Sequence, residues 1–465
     1  MCLQPQKYTQ MLLPGMDTPV IENIPEFQSI EPGSIQEIID IYLNKHWSYN
    51  CFNKLYNVLQ CGTGKLGCHI DVCDNCGSSR SIPNPCDHSL CPYCQQRLSE
   101  NWIENRISEL LPVPYYQIVF KLPPALAIFA LYNKKIVFDI FFAAVASAMN
   151  KIPDRDRIEI GFILSLQTCA RNLWFCPHIH VCMPGVGILK NGKVNQYCCK
   201  EALPLTEEIL SKEFCESFIK QLKKVYEEKN VVTPKCEDDI EYKNENQKEI
   251  ETICTDDESQ LKWPTKLEHL AKDRSEFDKW IAKLENAKWK VNVGDATRKD
   301  PKELIRYIGE RLAISDDQIV KTDTEKVIFK DKRNKEHELT IEEFIRRLVS
   351  HAMPKGYHRI RNYGYLGNNV KEKKGSYILS QLGQTKSPKS IHKSKCKQCG
   401  KGQMRTVAVI LGGETVKTFP EQIEKLKQMP SWLSILKEIE SAKKIPAELK
   451  ESIPTWLIEL IQSVD

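Results

Sequence analysis

Two C-x2-C pairs, Cys73/Cys76 and Cys91/Cys94, lie one short loop apart in CHIDVCDNCGSSRSIPNPCDHSLCPYC, and this spacing constrains the fold more than any other feature of the chain. Each pair places two thiolates on one turn, and two such turns close a tetrahedron of soft ligands suited to Zn²⁺. A redox dithiol needs only one pair. The expected site is structural, because four thiolates leave no position open for water or substrate. Cys61, Cys86, His69 and His88 are close in sequence, so a second ion or a different quartet stays open. Farther on, KCKQCGKGQM carries a lone pair, Cys396/Cys399, which resembles half a zinc ribbon; it can bind zinc with a Cys or His from elsewhere or be no metal site at all.

The chain has 465 residues and 19 cysteines, too long for a small secreted disulfide scaffold, and fits an intracellular protein of two or three domains. Its first residues lack the basic start and apolar run of a signal peptide. The most apolar stretch, from Leu111 to Met149, is broken by Lys121, Lys134, Lys135 and Asp139, so it reads as buried strand and helix and no membrane partner is expected. Net charge is +5, but the segment from Glu237 to Glu258 holds ten acidic residues against two lysines, −8 in all, leaving +13 on the remainder. A basic body of this kind suits a polyanion. The acidic stretch, about 236–260, reads as a solvated insertion.

Patterning divides the rest. Residues 1–33 form an irregular leader, and residues 34–112 hold a helix and the cysteine module, closed by a helix that Pro112 ends. PYYQIVFKL, IEIGFILSLQT and FCPHIHVCMPGVG read as strands, and IVFDIFFAAVASAMNKI as a buried helix. PKELIRYIGERLA is a short helix opening on proline. Residues 113–400 make the main domain, and residues 401–465 are a lysine-rich tail, helical from about Glu414. The fold class expected is α+β.

His178 and His180 flank Ile179 in a strand. Residues two apart point to the same face about 7 Å apart along the backbone, so the two imidazoles can share one ion or can simply lie on a polar strand face. A third ligand would come from a neighbouring strand, where Gln167 is the natural candidate. In HAMPKGYHRIRNYGYLGNN, Arg359 and Arg361 interleave with Tyr363 and Tyr365, which is the composition of a single-strand track and also of an ordinary strand.

The order of CDNCG, CPYCQ, ELLPVPYYQIVFKLP, EIGFILSLQT, CPHIHVCMPGVG, LIRYIGERLAIS and EEFIRRLVSHAMPKGYHRIRNYGYLGN resembles transposases of the IS-ninety-one family, rolling-circle enzymes of the HUH endonuclease superfamily. The resemblance spans roughly residues 34 to 410. It implies an N-terminal zinc-binding domain followed by an HUH nuclease domain with a central antiparallel sheet and flanking helices. It also implies that His178 and His180 hold a catalytic Mg²⁺ or Mn²⁺, with Gln167 the candidate third ligand, that Tyr307 attacks single-stranded DNA to form a 5′-phosphotyrosine link, and that the segment with Arg359, Arg361, Tyr363 and Tyr365 has a structural or DNA-contacting role. Transposon ends and target would be the DNA partners, in the cytoplasm or on the nucleoid, with the enzyme acting alone or as a homodimer.

The chemistry suits the residue types. A cation held by neutral imidazoles offsets charge on phosphate oxygens during in-line attack, and a phenol with a free pKa near 10 needs a nearby cation or base to lose its proton. The chain departs from the family's pattern at Arg311, where two-tyrosine members carry a second tyrosine, at Gln167, where many have histidine, and at Leu90 before Cys91, where histidine is common. A replication initiator or relaxase shares the histidine motif without explaining the cysteine module. A non-catalytic zinc-dependent DNA-binding protein is the alternative of a different class.

Overall fold

The computed structural model describes residues 30–45, 49–151, 158–197, 206–229, 260–294, 300–383, 396–411 and 414–418. The expected leader up to residue 29, the acidic insertion and the tail beyond residue 418 lie outside the described residues. The helices are α1 (Ile35–Lys45), α2 (Tyr49–Gln60), α3 (Pro92–Ile107), α4 (Ala127–Tyr132), α5 (Lys134–Asn150), α6 (Glu207–Lys229), α7 (Glu268–Lys272), α8 (Arg274–Glu285), α9 (Pro301–Gly309), α10 (Ile341–Ser350) and α11 (Lys371–Gln381). The strands are β1 (Cys68–Cys73), β2 (Ser79–Pro83), β3 (Tyr115–Lys121), β4 (Ile158–Cys169), β5 (Phe175–Pro184), β6 (Val186–Leu189), β7 (Val194–Gln196), β8 (Lys290–Val293), β9 (Ile319–Thr322), β10 (Lys326–Lys330), β11 (Glu336–Thr340), β12 (Ile360–Gly364), β13 (Met404–Leu411) and β14 (Glu414–Thr418). The α+β class holds.

Two compact units result, each discontinuous in sequence. The smaller is built on a four-stranded antiparallel sheet ordered β14-β13-β1-β2. It joins residues 68–83 to residues 404–418, where a contiguous cysteine module and a separate tail were expected. The tail's first residues, Glu414–Thr418, are strand and not helix, because pairing with β13 overrides their local pattern.

The larger unit is organised around an antiparallel sheet ordered β7-β6-β4-β5-β3-β8, with β12 also paired to β4. One face carries α4, α5, α6 and α8. Helix α5 is apolar nearly all round, which suits a helix enclosed on every side, and Phe138, Phe141, Phe142 and Val145 are fully buried there with Phe162, Leu164, Ile179 and Val181 of the sheet. The other face receives α9, whose Leu304, Ile305 and Ile308 pack with Ile163, Cys182, Val186 and Tyr365. The start of α9 is fixed locally: the Asp300 carboxylate accepts the Lys302 N–H, and Pro301 opens the helix. Its end is fixed by close packing, since a Cβ on Gly309 would lie 2.6 Å from Ile103 and 2.8 Å from Trp102 of α3. A three-stranded sheet, β11-β10-β9, precedes α10 in the same unit.

Candidate functional site

Strand β5 runs between β3 and β4, and its register places His178 opposite Gln167 and Lys121, and His180 opposite Ser165 and Val119. The two imidazoles share one face, their ring centroids 4.9 Å apart. His178 Nδ1 lies 2.8 Å from the Cys176 carbonyl, to which its N–H donates, so Nε2 keeps its lone pair. His180 Nδ1 lies 3.0 Å from the side-chain amide of Gln117 on β3, while its Nε2 is buried with no hydrogen-bond partner. The Gln117 atom facing Nδ1 is its side-chain nitrogen; with the amide flipped, its oxygen would accept Nδ1–H and leave the lone pair on His180 Nε2. Burial lowers the pKa of both rings, that of His180 to about 3, with the adjacent His178, Lys121 and Lys332 adding to the effect. Neutral imidazoles are the form that ligates a cation, and a buried nitrogen without a partner is what a ligand set lacking its ion would leave.

Tyr307 stands over this pair. Its ring meets His180 edge-on, centroids 5.0 Å apart, and is 43 % exposed, so the side chain is open to a substrate. The helix is pinned to the histidine strand's neighbour: Ser165 donates to the Ile308 carbonyl at 2.7 Å, and the Gln167 amide donates to the Tyr307 carbonyl at 3.3 Å. Gln167 thus borders the site with its amide nitrogen engaged. The β10–β11 turn brings Lys332 to 5.8 Å from the Tyr307 ring centroid, and the same ammonium pairs with Glu310 at 2.6 Å.

A cleft of about 460 Å³ opens beside these groups. Lys121, Arg171, Arg311, Lys332, Arg333 and Arg359 line it against a single carboxylate, Glu310. Such a wall suits a phosphate backbone. The Arg311 Nε is buried without a partner, and burial lowers that guanidinium's pKa.

The expected Arg–Tyr track is not one surface. Strand β12 pairs Arg361 with Leu164 and Tyr363 with Phe162, which puts both on the α5 side of the sheet, away from the histidines. There Arg361 pairs with Asp139 at 2.6 Å and covers the Phe142 ring, and Tyr363 stacks on Phe162. Tyr365 is fully buried, its hydroxyl donating to the Val186 carbonyl at 3.0 Å, so it offers no face to a base. Arg359 alone of the four reaches the cleft, with both terminal nitrogens donating to the Arg311 carbonyl at 2.7 and 2.9 Å. Strand pairing and burial, which residue composition does not reveal, account for the difference. Gln117 and Ser165 escaped the sequence reading. Their signal was a polar side chain with apolar neighbours on both sides within a strand, Gln117 between Tyr116 and Ile118 and Ser165 between Leu164 and Leu166.

The quartet Cys73, Cys76, Cys91 and Cys94 is also corrected. In the smaller unit, Cys73 and Cys76 gather with Cys396 and Cys399, all four thiols within 4.8 Å of one another. In the larger unit, Cys91 and Cys94, at the start of α3, gather with Cys86, the Cys86 and Cys94 sulfurs 3.8 Å apart. Strand β2 and the irregular segment after it separate the two pairs in sequence.

Residues 34–122 match the model of a "Transposase zinc-binding domain", and residues 161–374 match that of a "Putative transposase". A curated relative, "Putative transposase y4qJ" of Sinorhizobium fredii, is 31% identical over 381 residues, which is 76% of this chain and 87% of the relative. The chain belongs to the IS-ninety-one family of transposases. A second relative in this family, "Transposase for insertion sequence element IS801" of Pseudomonas savastanoi pv. phaseolicola, is 22% identical over 401 residues, 80% of this chain and 87% of its own length. No solved structure matches the chain significantly. As an IS-ninety-one family transposase, the protein is an enzyme acting on DNA, and its cysteine clusters fit structural zinc. Among the described residues, no helix is long and apolar enough to cross a membrane.

Proposed function

We propose that the protein nicks and rejoins single-stranded DNA by transesterification at Tyr307, as the strand-transfer step of rolling-circle transposition. The observation that carries this reading is the placement of Tyr307 edge-on to His180 at the mouth of a basic cleft. His178 and His180 through Nε2, with Gln167 through its amide oxygen, would hold Mg²⁺ or Mn²⁺. Such an ion, when bound, withdraws charge from the scissile phosphate. Tyr307 supplies the attacking oxygen. Lys332, 5.8 Å from the Tyr307 ring centroid, adds a cation beside the phosphate that Tyr307 would attack. The arginines and lysines of the cleft hold the strand by its phosphates, an affinity that falls as salt rises. Attack breaks the phosphodiester, frees a 3′-hydroxyl and leaves the 5′ phosphate on Tyr307. The reverse attack by a 3′-hydroxyl rejoins strands without ATP. With Arg311 in place of a second tyrosine, one chain holds one cleaved strand at a time, and two strands require a second subunit or a reset of Tyr307. A transposase acting on its host's DNA would work in the cytoplasm, at the nucleoid.

The test is cleavage of end-derived single-stranded oligonucleotides with and without Mn²⁺. His178→Ala and His180→Ala should lower cleavage by at least about 100-fold, the scale of losing metal activation, while oligonucleotide binding stays within about 3-fold, because phosphate contacts carry it. Cleavage by His180→Ala at the wild-type rate would refute the reading.

A further inference from the structure

We propose that Cys73, Cys76, Cys396 and Cys399 hold a Zn²⁺ of their own, and that this ion closes a discontinuous zinc ribbon from two segments of the chain. Residues 396 and 399 lie beyond both segments that match family models. The site therefore takes half its ligands from sequence outside the matched zinc-binding domain.

Geometry is the first support. Thiolates 2.3 Å from one zinc in a tetrahedron stand about 3.8 Å apart. Here Cys73 and Cys399 sulfurs are 3.7 Å apart and those of Cys76 and Cys396 are 3.6 Å apart, although the latter residues are 320 positions apart in sequence. Disulfides would bring sulfurs to about 2.05 Å, and all four thiols are free.

The second support is that the two turns repeat one construction. Each C-x2-C turn runs into a glycine at positive φ, Gly77 at 74° and Gly400 at 66°, a conformation costly for other residues. In each, the glycine N–H donates to the carbonyl of the first cysteine, at 3.1 Å from Gly77 to Cys73 and 2.9 Å from Gly400 to Cys396. Backbone N–H groups point at sulfur: Asn75 and Cys76 toward Cys73 at 3.4 and 3.5 Å, and Gly402 toward Cys399 at 3.3 Å. Amides aimed at sulfur stabilise thiolates and orient them for a metal.

The third support is what holds the two segments together. Asp74 accepts the Gln403 N–H at 2.7 Å and pairs with Arg405 at 3.0 Å, while Asp71 accepts from Thr406 at 2.7 Å. Gly402 packs directly on the Cys73 sulfur, where a Cβ would clash. Four convergent thiolates on one ion would join the two segments at a further point.

Zinc content and cysteine protection of the full-length protein, purified under reducing conditions, test the proposal. The wild type should hold about two zinc ions per chain, one in each cysteine cluster. In the unaltered protein, Cys73, Cys76, Cys396 and Cys399 should resist alkylation together and become reactive together as a chelator removes one zinc. The Cys396→Ser/Cys399→Ser double variant should hold one zinc, and the Cys73→Ser/Cys76→Ser variant the same. The alkylation result needs no variant to fold. Rapid alkylation of Cys396 and Cys399 in the zinc-loaded wild type would overturn the proposal. So would a Cys396→Ser/Cys399→Ser protein that keeps the full wild-type zinc content, or iron in place of zinc.

Discussion

The His180 imidazole lies edge-on to the Tyr307 ring, centroids 5.0 Å apart. The two residues come from β5 and α9, and their approach is set by neither element alone. Ser165, opposite His180 in the sheet, donates to the Ile308 carbonyl and so ties the helix to the strand beside the histidines. The proposed nucleophile is thereby held on an amphipathic helix beside the proposed ligand pair on a central strand, an arrangement that would limit misplacement of the attacking oxygen.

Gln117 should prove a positioning residue for the metal. It touches His180 Nδ1 at 3.0 Å and no substrate. Gln117→Leu is expected to raise the Mn²⁺ concentration for half-maximal cleavage about 10- to 100-fold, the range for loss of a partner behind a metal ligand, with DNA binding unchanged. Gln117→Glu, which retains an oxygen acceptor for Nδ1–H, should recover most of the loss. A titration with Mn²⁺ checks both, and an unshifted midpoint in Gln117→Leu would remove the residue from the metal site.

Stability should fall in mild acid through His351. This ring is buried, with Nε2–H donating to the Leu173 carbonyl at 3.1 Å and Nδ1 3.0 Å from the Thr168 hydroxyl. Burial, helped by the charges of Lys134 and Arg359, lowers its pKa to about 3 from an unfolded value of 6.5. The unfolded chain therefore takes up the proton first. The contribution of neutral His351 is complete above about pH 6.5 and is lost as pH falls from there toward about 3. Denaturant midpoints from pH 8 to pH 4 should drop for the wild type, and the drop should be smaller in His351→Gln. Parallel pH profiles for the two proteins would show that His351 does not control this loss.

Tyr365→Phe separates packing from DNA contact. The hydroxyl serves only the Val186 carbonyl within the core, so its removal should cost about 1–3 kcal/mol of stability and leave oligonucleotide affinity unaltered. Arg171→Ala, on the cleft wall, should instead weaken binding and lower its salt dependence by about one phosphate contact. Reduced affinity in Tyr365→Phe at matched fold content would restore that tyrosine to the DNA track.

The sequence revealed the parts of this site that depend on local geometry. His178 and His180 were legible because alternation in a strand puts residues two apart on one face, and α9 because Asp300, Pro301 and the Leu304/Ile305/Ile308 spacing mark a short amphipathic helix. Tyr307 was legible only through the family resemblance, since nothing local distinguishes it from the other tyrosines. What remained hidden depends on long-range pairing. The register of β1 with β13 joins Cys73 to Cys399, and no spacing within CHIDVCDNCGSSRSIPNPCDHSLCPYC reports it. Likewise, the pairing of β12 with β4 decides that Arg361 and Tyr363 face α5, and composition cannot distinguish the two faces of a strand.

The most direct measurement is mass spectrometric mapping of the covalent adduct formed when the protein cleaves a single-stranded oligonucleotide in Mn²⁺. A 5′ phosphate attached to Tyr307, one strand per chain, and no adduct in Tyr307→Phe are expected. An adduct on Tyr363 or any other tyrosine, or cleavage by Tyr307→Phe at the wild-type rate, would contradict the assignment of Tyr307 as nucleophile.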